Sequence, residues 1–202
     1  MPVSPTQEHS ALPECSSPLG SIGDDGVVSD GLGWLGTRGR DGGIDTIPLP
    51  IPTGGLSLCG KHAIGPNPLR AMERCGATTV VCLVEDHELA ARYPDYVRWL
   101  RENEGSTALW FPIHDLHAPP LDRAEEILSL LMQRLRAEEH LLVHCGAGIG
   151  RAGTIAACLL IGLGMPAKEA LENVAAHRPM AGPEVGAQRE LVEMIDDLYR
   201  SR

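Results

Sequence analysis

Cys145 and Arg151 close the two ends of the run Cys145-Gly146-Ala147-Gly148-Ile149-Gly150-Arg151, with five residues between them. A thiol and a guanidinium at this spacing are the parts needed for phosphoryl transfer to sulfur. Gly146, Gly148 and Gly150 permit the positive φ angles and close approach with which successive backbone N–H groups turn inward as an anion cradle. The spacing predicts Arg151 in the first turn of a following helix, where its planar fork grips two oxygens of a phosphate. The same positive field favours the thiolate of Cys145. Cys145 is thus the candidate nucleophile. Gly146, Ala147, Gly148, Ile149, Gly150 and Arg151 are the candidate substrate-binding loop, with His144 supporting it.

A rival exists for this loop, because Gly148-Ile149-Gly150-Arg151-Ala152-Gly153 fits the dinucleotide pattern G-x-G-x-x-G. Its context fails. A dinucleotide unit needs a second strand after the helix, ending in an acidic residue. Here Pro166-Ala167-Lys168-Glu169-Ala170-Leu171 reads as more helix. Attack on a phosphomonoester also needs an acid for the departing oxygen. The candidate is Asp115, in Phe111-Pro112-Ile113-His114-Asp115-Leu116, just past a predicted strand end. The plain alternative is a turn aspartate. His114 and His117 complete no ligand cluster with metal spacing, so no metal and no cofactor are expected.

The elements that must position these groups follow from periodicity. Residues 56–59, 78–84, 108–113 and 141–144 read as strands, the second a β-branched apolar run. Residues 68–75 read as a short helix closed by Gly76. Residues 87–103 read as a helix or helix pair broken near Pro94. In residues 121–139, Ile127, Leu128, Leu131, Met132 and Leu135 form one apolar stripe. Residues 151–163, 166–177 and 183–199 read as further helices, the last two with Pro in the first turn. Strands alternate with helices up to residue 163 and helices alone follow. The expected fold is α/β: a mostly parallel central sheet of four to five strands flanked by helices, the phosphate loop between a strand and a helix, and a helical C-terminal cap.

The chain has 202 residues, 43% apolar and 22% charged, with a net charge of −10. That suits a globular domain over residues 44–202 and excludes the basic face of a nucleic-acid binder. Residues 1–43, rich in Ser, Pro, Gly and Asp, read as a disordered tail, with Trp34 and Leu35 as the anchor of a docking arm in the sharper alternative. The six cysteines (Cys15, Cys59, Cys75, Cys82, Cys145, Cys158) fall mostly in apolar runs, as small hydrophobes rather than disulfides. No signal-peptide pattern and no membrane span are read, so a cytoplasmic location is expected.

The run from His144 to Arg151 resembles the H-C-x5-R phosphate loop of protein tyrosine and dual-specificity phosphatases. Across residues 56–199 the chain is most similar to the cyclin-dependent-kinase-associated phosphatase type, on Leu58-Cys59-Gly60, Val81-Cys82-Leu83, Phe111-Pro112-Ile113-His114-Asp115 and Ala156-Ala157-Cys158-Leu159-Leu160. The resemblance implies Cys145 as nucleophile, Arg151 as phosphate-binding arginine and Asp115 as general acid. The implied reaction runs through a cysteinyl-phosphate without metal. The implied partner is a phosphoprotein carrying phosphotyrosine, with phosphoserine and phosphothreonine as further substrates. A phosphoinositide is less expected, since relatives that take one tend to carry lysines in a stretch that has none here.

Two departures stand out. The family usually places Ser or Thr after the arginine, to donate to the leaving thiolate in the second step; this chain has Ala152, with Thr154 nearby. The family's late glutamine, which positions water, falls on Glu184 or Gln188, both of which also read as solvated helix residues. Cys82 reads as a buried hydrophobe first; the resemblance adds an oxidative pairing with Cys145. The alternative to an enzyme is a catalytically weak or inactive phosphate-binding module.

Overall fold

The computed structural model describes Met1 and residues 42–201. Cys15, the Trp34–Leu35 arm and nearly all of the expected tail lie outside the described residues. The described strands form one five-stranded sheet: β1 (Ile44–Thr46), β2 (Gly55–Gly60), β3 (Thr79–Cys82), β4 (Ala108–Trp110) and β5 (His140–Cys145), in the order β1-β2-β5-β3-β4. Only β1 runs antiparallel, as a hairpin partner of β2. The other pairings are parallel, with Cys59, His144 and Cys82 side by side across β2, β5 and β3.

β3 and β5 are fully buried or nearly so, which is why they read as continuous apolar runs rather than alternating ones. The chain steps outward from β3 to β4, then returns to insert β5 between β2 and β3. That reversal opens a crevice at the C-terminal ends of the strands, where open α/β sheets take ligands.

Eight helices occur among the described residues: α1 (Lys61–Ile64), α2 (Pro68–Cys75), α3 (Asp86–Ala90), α4 (Pro94–Asn103), α5 (Leu121–Arg136), α6 (Gly150–Gly162), α7 (Ala167–His177) and α8 (Gly186–Arg200). Every residue of α6 from Gly150 to Ile161 is buried. It is apolar all round because α5, α7, α8 and β5 enclose it. α5 buries the expected stripe, Ile127, Leu128, Leu131, Met132 and Leu135. α2 ends on Gly76 at φ 70°, a left-handed cap that glycine adopts without steric cost.

The α/β fold matches the expectation, and the differences have local causes. β4 stops at Trp110, yet Phe111 and Ile113 still donate to the carbonyls of Cys82 and Leu83, so pairing continues past the regular strand. The last helix starts at Gly186 rather than 183, because Val185 is extended (φ −129°, ψ 169°). Pro183 therefore precedes the helix instead of occupying its first turn, and Pro166 is the cap of α7 rather than a member of it. β1 and α1, of three and four residues, are too short to show a period.

Candidate active site

The strand β5 delivers Cys145 to the floor of an open cleft of about 360 Å³ lined also by Lys61, Glu88, Asp115, Arg151 and Glu184. Cys145 is 3% exposed. From there the chain turns through Gly146–Ile149 into α6. Gly148 has φ 74°, and a β-carbon on it would collide with the Cys59 carbonyl. At Gly150 the collision would be with the Glu184 carboxylate. Only glycine passes at Gly148, whereas at Gly150 the exposed Glu184 side chain would have to swing aside.

The loop is braced from behind by Arg178, at the end of α7. Among the described residues it heads the large side chains that are fully buried. Its Nε donates to the Gly148 carbonyl at 2.6 Å and Nη2 to the Ala147 carbonyl at 2.9 Å. Nη1 pairs with Asp45 of β1 at 2.6 Å. Because these two carbonyls point toward Arg178, the N–H groups of Gly148 and Ile149 in the same planar peptides point away from it. Arg178→Met removes the guanidinium partner of Asp45 and strands both carbonyls. It is expected to cost about 3–5 kcal/mol, read from denaturant midpoints; a loss below about 1 kcal/mol would count against the brace.

Arg151 closes the front of the cradle. Its Nη1 donates to Glu88 Oε1 at 2.6 Å and to the Ile113 carbonyl at 2.8 Å, and its Nη2 donates to Glu88 Oε2 at 2.9 Å. This is the parallel two-bond fork that fixes a guanidinium in a plane. Burial alone would lower the Arg151 pKa, but the Glu88 hydrogen bonds and the charges of Cys145, Glu88 and Asp115 outweigh it and raise it. Burial likewise works against the Glu88 carboxylate, and Arg151, the Glu85 backbone and Lys61 together hold it below the usual range. The contribution of this pair is present above the ordinary carboxylate range and is lost as pH falls through the depressed Glu88 value.

Asp115 stands on the rim with a side chain 66% exposed, its Oδ1 3.0 Å from Arg151 Nη2. The fold thus brings the three candidates Cys145, Arg151 and Asp115 into one cleft. Arg151 Nη2 is shared between the Glu88 and Asp115 carboxylates. Leu116 beside it is 52% exposed at φ 58°.

His144 is fully buried, and its Nε2 shares a 2.6 Å hydrogen bond with the Tyr96 hydroxyl. Burial pushes its pKa down to about 4, so the ring is neutral at physiological pH and acts as a spacer under the loop. The two late candidates separate. Gln188 is buried: its Oε1 accepts from the Glu184 N–H at 2.8 Å and its Nε2 donates to the His117 carbonyl at 3.2 Å. It ties the start of α8 to the Asp115 loop and is no solvated helix residue. Glu184 is exposed and lines the cleft. Ala152 is fully buried, and the Thr154 hydroxyl is directed at Gln188 Oε1, 3.5 Å away.

Cys82 lies beside His144 on β3, a buried thiol whose pKa burial pushes up to about 12. Cys82 and Cys145 are both thiols here. His114 and His117 pack edge to face at 4.8 Å, and no group of three or more candidate metal ligands occurs among the described residues. Glu88, Arg178 and Lys61 were missed from sequence. In the structure Glu85 and Glu88 form a capping box at the start of α3.

Residues 65–194 match a family described as a Swiss Army Knife protein, DSP-PTPase phosphatase domain. Protein tyrosine phosphatase type IVA 3 of Mus musculus is 32% identical over 105 residues, covering 51% of this chain and 56% of that protein. Type IVA 2 of the same organism is 36% identical over 75 residues, 36% of this chain and 45% of that one. The match thus spans about half the length of these relatives. Among solved structures, Tk-PTP in its active form is 28% identical with a TM-score of 0.56, over 73% of this chain and 93% of its own. Kinase associated phosphatase shares the fold at a TM-score of 0.64 and 20% identity, over 79% of this chain and 97% of its own. No helix among the described residues is long and apolar enough to cross a membrane.

Proposed function

The chain belongs to the DSP-PTPase phosphatase family, and from that premise we propose that it hydrolyses phosphomonoesters on proteins, phosphotyrosine first, through a cysteinyl-phosphate. The observation that carries this reading is the double bracing of one loop. Arg178 pulls its carbonyls outward, and the Glu88–Arg151 fork closes the opposite side over Cys145. A site held so rigidly presents its donors before the charge develops, which is where electrostatic catalysis draws its effect.

In the first step the Cys145 thiolate attacks phosphorus, the ester P–O bond breaks, and Asp115 passes its proton to the departing oxygen. In the second, water attacks phosphorus, Asp115 takes a proton from it, and the S–P bond breaks to release inorganic phosphate. Glu184 lines the same cleft. Gln188, whose amide is already engaged, acts by positioning the Asp115 loop. No metal or cofactor takes part. The described cysteines are all thiols, none of them in a disulfide, which suits a reducing, cytoplasmic compartment.

A second reading, a phosphate-binding module with little turnover, is favoured by Ala152. No hydroxyl stands at that position to donate to the leaving thiolate, and Thr154 is directed at Gln188. Ala152→Ser is therefore expected to raise the steady-state rate by about tenfold, the worth of one hydrogen bond to a charged leaving group. An unchanged or lower rate counts against slow phosphoenzyme hydrolysis. The two readings part on p-nitrophenyl phosphate. The enzyme releases p-nitrophenol and Cys145→Ser does not; a binding module gives no Cys145-dependent release.

A further inference from the structure

His114 and His117 stand at the two ends of a tight turn, and the phosphatase chemistry uses neither ring. The His117 N–H donates to the His114 carbonyl at 3.1 Å, which closes the turn. Leu116, its third residue, is held at φ 58°, a conformation that a leucine adopts only against steric resistance. The first and last residues of such a turn lie across from each other. Their rings accordingly meet edge to face with centroids 4.8 Å apart, and both side chains are exposed.

Each ring is held at Nδ1 by a partner that can only accept. His114 Nδ1 lies 2.8 Å from a Glu85 carboxylate oxygen, and His117 Nδ1 lies 2.8 Å from the Asp115 carbonyl. In the neutral rings both protons therefore sit on Nδ1, and each Nε2 keeps a bare lone pair. That is the tautomer of a metal-bound histidine, and a carboxylate or carbonyl on the far nitrogen is its usual support. The spacing agrees. Two imidazoles bound at about 2.1 Å to one ion have ring centres roughly 5 Å apart. Glu85, on the His114 ring, and Asp115, between the two histidines, add negative charge beside the pair.

We propose that His114 and His117 bind one divalent ion of the zinc class through both Nε2 atoms, with water in its remaining positions. The ion joins the ends of the turn that carries Asp115 and takes no part in the bonds that change during hydrolysis. Its binding does not depend on the phosphatase reading.

The test uses the full chain carrying Cys145→Ser, which removes the active-site thiolate as a competing ligand. Zn²⁺ alone is titrated calorimetrically, with Mg²⁺ as the hard-cation control. His114→Asn and His117→Asn are each expected to weaken zinc binding by about tenfold or more. Glu85→Gln, which removes the carboxylate behind His114, is expected to weaken it about tenfold. Mg²⁺ is not expected to compete, because imidazole suits the softer ion. Ring-nitrogen NMR should show zinc shifting Nε2 of His114 and His117 while both Nδ1 atoms keep their protons. A zinc affinity that survives both histidine replacements, ligation through Nδ1, or equal binding of Mg²⁺ overturns the site. Hydrolysis of p-nitrophenyl phosphate by the chain with Cys145 intact is scored separately, so failure of one reading leaves the other standing.

Discussion

With p-nitrophenyl phosphate as substrate, Cys145→Ser is expected to lose about 10⁴- to 10⁶-fold in kcat, the scale seen when a nucleophile that works as part of a unit is removed. The substitution swaps one small side chain for another at a site 3% exposed, so the sheet and α6 are undisturbed. What changes is chemistry. A serine hydroxyl holds its proton at neutral pH and needs a base beside it, and the loop supplies donors rather than a base. Phosphate affinity should survive, because the backbone cradle and Arg151 remain. Loss of hydrolysis together with loss of binding would mean that the loop had collapsed, which the unfolding midpoint of the variant checks.

Arg151→Lys is expected to cut kcat/KM by about 10³-fold, near the effect of deleting a preorganised transition-state donor. A lysine keeps the charge and loses the plane. It reaches neither both oxygens of Glu88 nor the Ile113 carbonyl while also presenting two parallel donors to a phosphoryl group. The Glu88 side chain, 15% exposed, would keep at most a single bond, so stability should fall by about 1–3 kcal/mol as well. Kinetics and unfolding are measured on the same variant. A loss of stability with unchanged kcat/KM would make Arg151 a structural residue and not a phosphate ligand.

Local patterns made much of this molecule legible. The buried strands announce themselves through β-branched runs, and α5 through its stripe. The phosphate loop shows through glycines that only an unusual backbone needs. Asp115 was singled out because it follows a strand end, and it lies on the cleft rim beside Arg151. What escaped was held by distance along the chain. Arg178 meets Gly148 from 30 residues away and Arg151 meets Glu88 across 63. A lone Arg or Glu in a helix reads as solvated surface until the tertiary structure buries it. The solvated alternative for Gln188 failed for the same reason, since its partner on the Asp115 loop is 71 residues away.

The central claim is that phosphate passes through the sulfur of Cys145. The direct measurement is a rapid denaturing quench during turnover of a phosphotyrosyl peptide labelled on phosphorus, with the label then mapped on the chain. Because Ala152 offers no hydroxyl to the leaving thiolate, the phosphoenzyme should accumulate toward about one phosphate per chain, on the peptide containing Cys145. Hydrolysis of the substrate with no label on Cys145, or with label on another residue, would contradict the account.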